Sequence, residues 1–158
     1  MNVVVASHQR TRKINARLLK EIAEALLSDL EIEQAELGIT LVAAREMALL
    51  NETFLQHDGP TDVITFDYLE PRKGREINGR RRNLHGELFI CMDVSLKQSR
   101  EFKTTWQTEV VRYLVHGVLH LLGHDDHVAA ARRRMKREEN RLVLKLGRKF
   151  SLAKISRP

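Results

Sequence analysis

Residues 110–122, "VVRYLVHGVLHLL", constrain this chain more than any other stretch. With Arg112 as its one fixed charge, the run has no polar face to offer water, so a helix formed from it must be enclosed on most sides. It is also shorter than the roughly 20 apolar residues that a membrane span needs. The expectation is therefore a central buried helix, with the rest of a 158-residue chain built round it. His116 and His120 sit inside this run, where a polar side chain needs a partner.

The flanking segments supply what surrounds such a helix. "MNVVVAS" reads as a strand from its β-branched run, and "LGITLVAA" as a second. Between them, "NARLLKEIAEALLSDL" has Leu18, Leu19, Ile22, Leu26 and Leu27 at helical spacing. "REMALLNETFL" is helical up to the turn signals of "HDGPTD". "DVITFDYL" and "GELFICMDV" are short β-rich runs on either side of a basic loop, which makes them adjacent strands. From residue 94 onward the chain turns helical: "SLKQSREF", then the buried run, then "AAARRRMKREENRLVLKLG", the latter two ending at Gly123 and Gly147. Strands followed by helices give an α+β fold: a small mixed sheet of about four strands packed with helices, zincin-like, with the site on the central buried helix. The expected organisation is one domain over residues 1–150 and a basic tail over 151–158.

Charge and cysteine content narrow the setting. Formal net charge is +6, concentrated in "RKGREINGRRR" (72–82), "RRRMKR" (132–137) and the acid-free stretch from Arg141 to Pro158. Three clusters of one sign favour a polyanionic partner, nucleic acid first. The polar opening "MNVVVASHQR" lacks a signal peptide, and the single cysteine, Cys91, fits a reducing compartment. A cytoplasmic protein without membrane contact is expected.

His116 and His120 stand four apart, so on a helix both imidazoles lie on one face and reach one ion at ~2.0–2.1 Å. Gly123 ends the helix, and "HDDH" (124–127) follows, so a returning chain can bring in a third ligand from His124, Asp126 or His127. A lone histidine in an apolar helix is ordinarily a satisfied core residue. Two at this spacing, with an Asp/His cluster just beyond, call for an ion, and Zn2+ is the default for imidazoles plus one more ligand, though another divalent metal suits the same donors. Gly117 occupies the position where HExxH peptidases carry their general-base glutamate, which argues against peptide hydrolysis.

"HGVLHLLGHDD" resembles the signature H-G-x-L-H-L-x-G-[YH]-D-H of the YbeY family of metal-dependent endoribonucleases. "LNETFLQHDGPTDVITF" (50–66) is similar to that family's second conserved segment, and "GELFIC" (86–91) to its G-[DE]-I-x-I strand. Order and spacing agree over about residues 40 to 128. The resemblance implies a zinc-dependent single-strand endoribonuclease acting on ribosomal RNA, in maturation of the 16S rRNA 3′ end and ribosome quality control. Ribosomal RNA is the implied substrate, with the ribosomal subunit or its proteins as partners. The competing reading is a non-catalytic, metal-containing ribosome-assembly factor.

Two departures from the pattern matter. The family's third ligand is a histidine six residues after the second, and that register falls on Asp126 here, with His127 one step late. A carboxylate is an acceptable zinc ligand and needs no insertion in a tight turn, so Asp126 is the expected third ligand and His127 the alternative; His124 is a neighbour. The family often has an arginine where this chain has Leu55, directly after Phe54. Leucine cannot clamp phosphate, so that work passes to another group, such as His57 or an arginine of the 72–82 loop. His57 and Asp62 are candidate general bases, and Arg112, one turn before His116, is a candidate phosphate contact or a partner that orients a histidine. Glu109 offers Arg112 an ordinary i, i+3 ion pair instead. Asn51 and Thr61 organise their segment, and Trp106 and Cys91 belong to the core.

Overall fold

Alternating apolar and polar residues make the sheet, and the computed structural model describes it within residues 1–55, 59–69, 76–77, 80–81 and 83–158. In chain order the elements are β1 (Asn2–His8), α1 (Ala16–Asp29), β2 (Gln34–Val42), α2 (Ala44–Leu50), β3 (Val63–Asp67), β4 (Glu76–Ile77), β5 (Arg80–Arg81), β6 (Asn83–Cys91), α3 (Met92–Glu101), α4 (Trp106–Leu121) and α5 (Ala129–Lys149). A π-helical turn, Asn51–Leu55, prolongs α2, and a 3-10 turn, Leu152–Ile155, follows α5.

The main sheet has the order β1-β2-β6-β3. β1 and β6 each run parallel to β2, with Val3 opposite Leu37 and Leu88 opposite Ile39. β3 is antiparallel to β6, as expected of neighbours joined by the basic loop, with Ile64 opposite Phe89. Ala35, Leu37, Ile39 and Leu41 of β2, and Leu84, Leu88 and Ile90 of β6, point to one buried face. That period of two lets the sheet lay one apolar surface against α1 and α4. β2 starts earlier than its β-branched core suggests, because Gln34, Ala35 and Glu36 pair with β1 or β6 although they look unlike strand residues. Likewise α5 runs on through Gly147 to Lys149, since Gly147 has room on the helix surface and Leu146 is fully buried.

The apolar run is α4, enclosed as expected: ten of its residues are buried, Gly117 among them. Thr105 caps its start by accepting from the Thr108 amide at 3.2 Å. Two glycines set how closely α4 approaches the sheet. A Cβ on Gly117 would stand 2.7 Å from Leu88 Cδ2, and one on Gly86 would stand 2.6 Å from the Phe66 carbonyl oxygen and 2.9 Å from Leu121 Cδ2. A side chain at either position would force its neighbour to shift. A peptidase-type glutamate at 117 would have to displace the buried Leu88 side chain.

The final residues pack against the domain. Ile155 is fully buried, the Asn15 amide donates to its carbonyl at 2.8 Å, and Ser156 bridges to Ile14. Among the described residues no helix is long and apolar enough to cross a membrane.

Candidate metal centre and its cleft

The end of α4 sets the site. Leu122 closes the helix and Gly123 follows with φ +98°, a left-handed conformation that glycine adopts without steric cost. The Gly123 amide then donates to the His120 carbonyl and the His124 amide to the Leu119 carbonyl, each at 3.0 Å. This reversal satisfies the helix's last carbonyls and sends residues 124–127 back alongside it.

Three side chains meet at that turn. His116 Nε2 and His120 Nε2 are 3.1 Å apart, and Asp126 Oδ2 lies 3.5 Å from His120 Nε2. One ligand atom from each of His116, His120 and Asp126 lies within 4.8 Å of the other two. His127 is not in that group: its side chain is 88% exposed and its Nε2 pairs with Asp125 at 3.7 Å. Asp125, Asp126 and His127 form a second, more exposed cluster of potential ligands.

The outer nitrogens decide what the inner ones can do. His120 Nδ1 lies 3.1 Å from the His124 carbonyl, which only accepts, so Nδ1 carries the proton. His116 Nδ1 lies 2.9 Å from Glu139 Oε1. Burial pushes the Glu139 carboxyl up, but hydrogen bonds from His116, Lys136 and Arg112 outweigh it and hold its pKa at about 2. It is an acceptor, so His116 Nδ1 also carries its proton. Both Nε2 atoms then face each other at 3.1 Å, an arrangement that a shared proton or a metal ion satisfies. Burial alone would lower the His116 pKa, yet Glu139, Asp62 and Asp126 raise it. The carboxylates that favour a proton there would also attract a metal ion. This donor set fits a divalent metal, with two imidazoles and a carboxylate as its ligands.

Glu139 is the site residue that the sequence reading overlooked. It is 3% exposed and sits on the face of α5 that buries Met135, Leu142, Val143 and Leu146. An acid at a core position of an amphipathic helix is a legible signal, because such a group is buried only when paired. Arg112 Nη1 donates to Glu139 Oε2 at 3.0 Å and to Asn140 Oδ1 at 2.7 Å, while its Nε is 4.0 Å from Glu109. Arg112 thus holds the carboxylate that holds His116, and its pair with Glu109 is secondary.

These groups line one side of a cavity of about 600 Å³ between α3, α4 and α5. Asp62 is in its wall, its Oδ1 accepting from the Val63 amide at 2.8 Å and from Thr61 Oγ1 at 3.3 Å. Arg132 is there too; its guanidinium reaches only the Asp126 carbonyl, at 3.5 Å, with no carboxylate partner among the described residues. Asn51 is buried and donates to the Gly59 carbonyl at 2.8 Å, anchoring the segment before Asp62. Leu55 is 44% exposed in the π-helical turn. His57 and most of the 72–82 loop lie outside the described residues. Cys91 is buried and Trp106 packs against the core.

Fold and site together define a small α+β domain whose central helix presents a histidine–carboxylate group suited to a metal, in the wall of a cleft lined by both carboxylates and basic side chains. The family described as Endoribonuclease YbeY matches residues 4–147, and the chain belongs to that family. Relatives named Endoribonuclease YbeY include one from Chlorobium luteolum, 34% identical over 142 residues, covering 89% of this chain and 96% of its own length. Another, from Syntrophotalea carbinolica, is 32% identical over 148 residues and covers 92% and 96%. The solution structure of TM1509 from Thermotoga maritima is similar at a TM-score of 0.62, with 26% identity, covering 91% of this chain and 88% of that one.

Proposed function

We propose that this chain is a zinc-dependent endoribonuclease of the cytoplasm that cuts single-stranded RNA during ribosomal RNA maturation, including that of the 16S rRNA 3′ end, in company with the ribosomal subunit. Membership of the YbeY family supports the RNA substrate. The observation that carries the metal is the facing pair of Nε2 atoms beside Asp126, each imidazole fixed in its tautomer by a partner on Nδ1.

His116, His120 and Asp126 would hold the ion. When bound there, a divalent metal supplies Lewis acidity toward a phosphodiester oxygen. The chain's own residues do the rest. Glu139, braced by Arg112 and Lys136, keeps His116 oriented and its Nδ1 protonated. Arg132 binds a non-bridging phosphate oxygen and takes the role that the family arginine would have at Leu55. Asp62 accepts a proton from the attacking oxygen, with His57 as the alternative base.

The test is cleavage of a single-stranded RNA by zinc-loaded protein beside His116→Ala and His120→Ala. Loss of cleavage in both variants is expected. Equal cleavage by all three proteins would point to a contaminant and sink the assignment.

A further inference from the structure

The cavity extends well past the metal centre, and its far part is built differently. Glu109 and His116 both line it and are seven residues apart on α4, which is about 10 Å at the helical rise. At the Glu109 end the walls are Thr104, Gln98 and Phe102, with Asn140 opposite on α5. Phe102 is 62% exposed, which leaves an aromatic side chain accessible at the cavity wall. Its backbone is part of a hydrogen-bonded turn: its amide donates to the Gln98 carbonyl at 2.9 Å, and the Thr104 amide donates to the Ser99 carbonyl at 2.9 Å across Lys103, whose φ is +54°. The turn carries the ring at the cavity wall.

Two amides beside it keep hydrogen-bonding capacity. The Gln98 side-chain amide has no hydrogen-bond partner among the described residues, and Asn140 uses only its Oδ1, on Arg112. Thr104 is committed to Glu109. An exposed aromatic face with two amides, one of them unengaged, suits a flat heteroaromatic ring: the face stacks and the amides bond its edge. Arg132 lies on the metal side of the same cavity, where the strand's phosphate would run.

We propose that this end of the cavity is a subsite for one unpaired nucleobase of an RNA strand, stacked on Phe102 and bonded at its edge by Gln98 and Asn140. It rests on the RNA-cleaving reading of the neighbouring centre and names how the strand is gripped beside it. With Glu109 and His116 about 10 Å apart along α4, the base would lie at the opposite end of the cavity from a phosphate at His116 and Asp126.

The probe is a fluorescently labelled single-stranded octaribonucleotide, together with octamers carrying one abasic residue at each position in turn. Binding is read by anisotropy in chelator, so that no strand is cut. The wild-type protein should lose about 5- to 150-fold in affinity at one abasic position, the range for loss of one base–aromatic stack. Phe102→Ala, at a largely exposed position, should bind every octamer at that weaker level and no longer distinguish the abasic one. Phe102→Trp should restore the discrimination. A flat abasic profile, no binding by the wild type, or discrimination retained by Phe102→Ala would each overturn the subsite. Cleavage by zinc-loaded protein is measured in parallel: cleavage with a flat profile retires the subsite alone, while a clear profile without cleavage retires the nuclease reading alone.

Discussion

The third ligand separates two residues that are adjacent in sequence and unlike in surroundings. Asp126 stands 3.5 Å from His120 Nε2, whereas the His127 ring is almost wholly in solvent. Asp126→Ala is expected to lose bound zinc on dialysis and His127→Ala to keep it, as read by metal analysis; the reverse result would make His127 the ligand. Glu139 makes a separate prediction for the metal-free protein. Its folded pKa of about 2 lies below the ordinary 4.5, so its stabilisation is fully present above pH 4.5 and is lost as pH falls from there toward 2. Glu139→Gln should therefore be the less stable protein at pH 7, by about 2–3 kcal/mol. The gap should narrow to less than half in denaturant melts at pH 3. A difference that does not change with pH would assign the loss to packing instead of charge.

At the scale of elements, the approach of α4 to β6 depends on two glycines that differ in what they face. At Gly86 a Cβ meets backbone, the Phe66 carbonyl at 2.6 Å, which cannot move without disturbing the β3–β6 ladder. At Gly117 it meets the end of the Leu88 side chain, and the helix gains about 1 kcal/mol of propensity from alanine as an offset. Gly86→Ala should thus cost about 2–3 kcal/mol in chemical denaturation, and Gly117→Ala clearly less. Equal costs would mean that the sheet yields as readily as a side chain. The two glycines were visible in the sequence, one in "GELFIC" and one in "HGVLH", but only the packing explains them.

Across the whole molecule, residues set apart as a basic tail belong to the folded body. Ile155 is fully buried and its carbonyl accepts the Asn15 amide, tying the C-terminal segment to the start of α1. Ile155→Ala should cost about 2–5 kcal/mol, seen as an earlier denaturation midpoint with unchanged slope. An unshifted midpoint would mean that the segment contributes nothing to the fold. The positive charge that marked this stretch is carried by Lys154 and Arg157, whose immediate neighbour Ile155 does the packing; charge counting passes over a single apolar anchor.

Local pattern was enough to determine much of this protein. The run 110–122 dictated a buried central helix, the i, i+4 spacing put His116 and His120 on one face, and Gly123 marked where the chain turns back. Those are properties of neighbours in sequence, fixed by helix geometry and glycine's freedom at positive φ. Glu139 behind His116, Arg132 beside Asp126 and Phe102 at the far rim are separated from the histidine pair along the chain and meet it only because α3, α4 and α5 pack together. Which nitrogen of each imidazole carries the proton likewise follows from those contacts, since a tautomer is set by the acceptor that the fold brings to Nδ1.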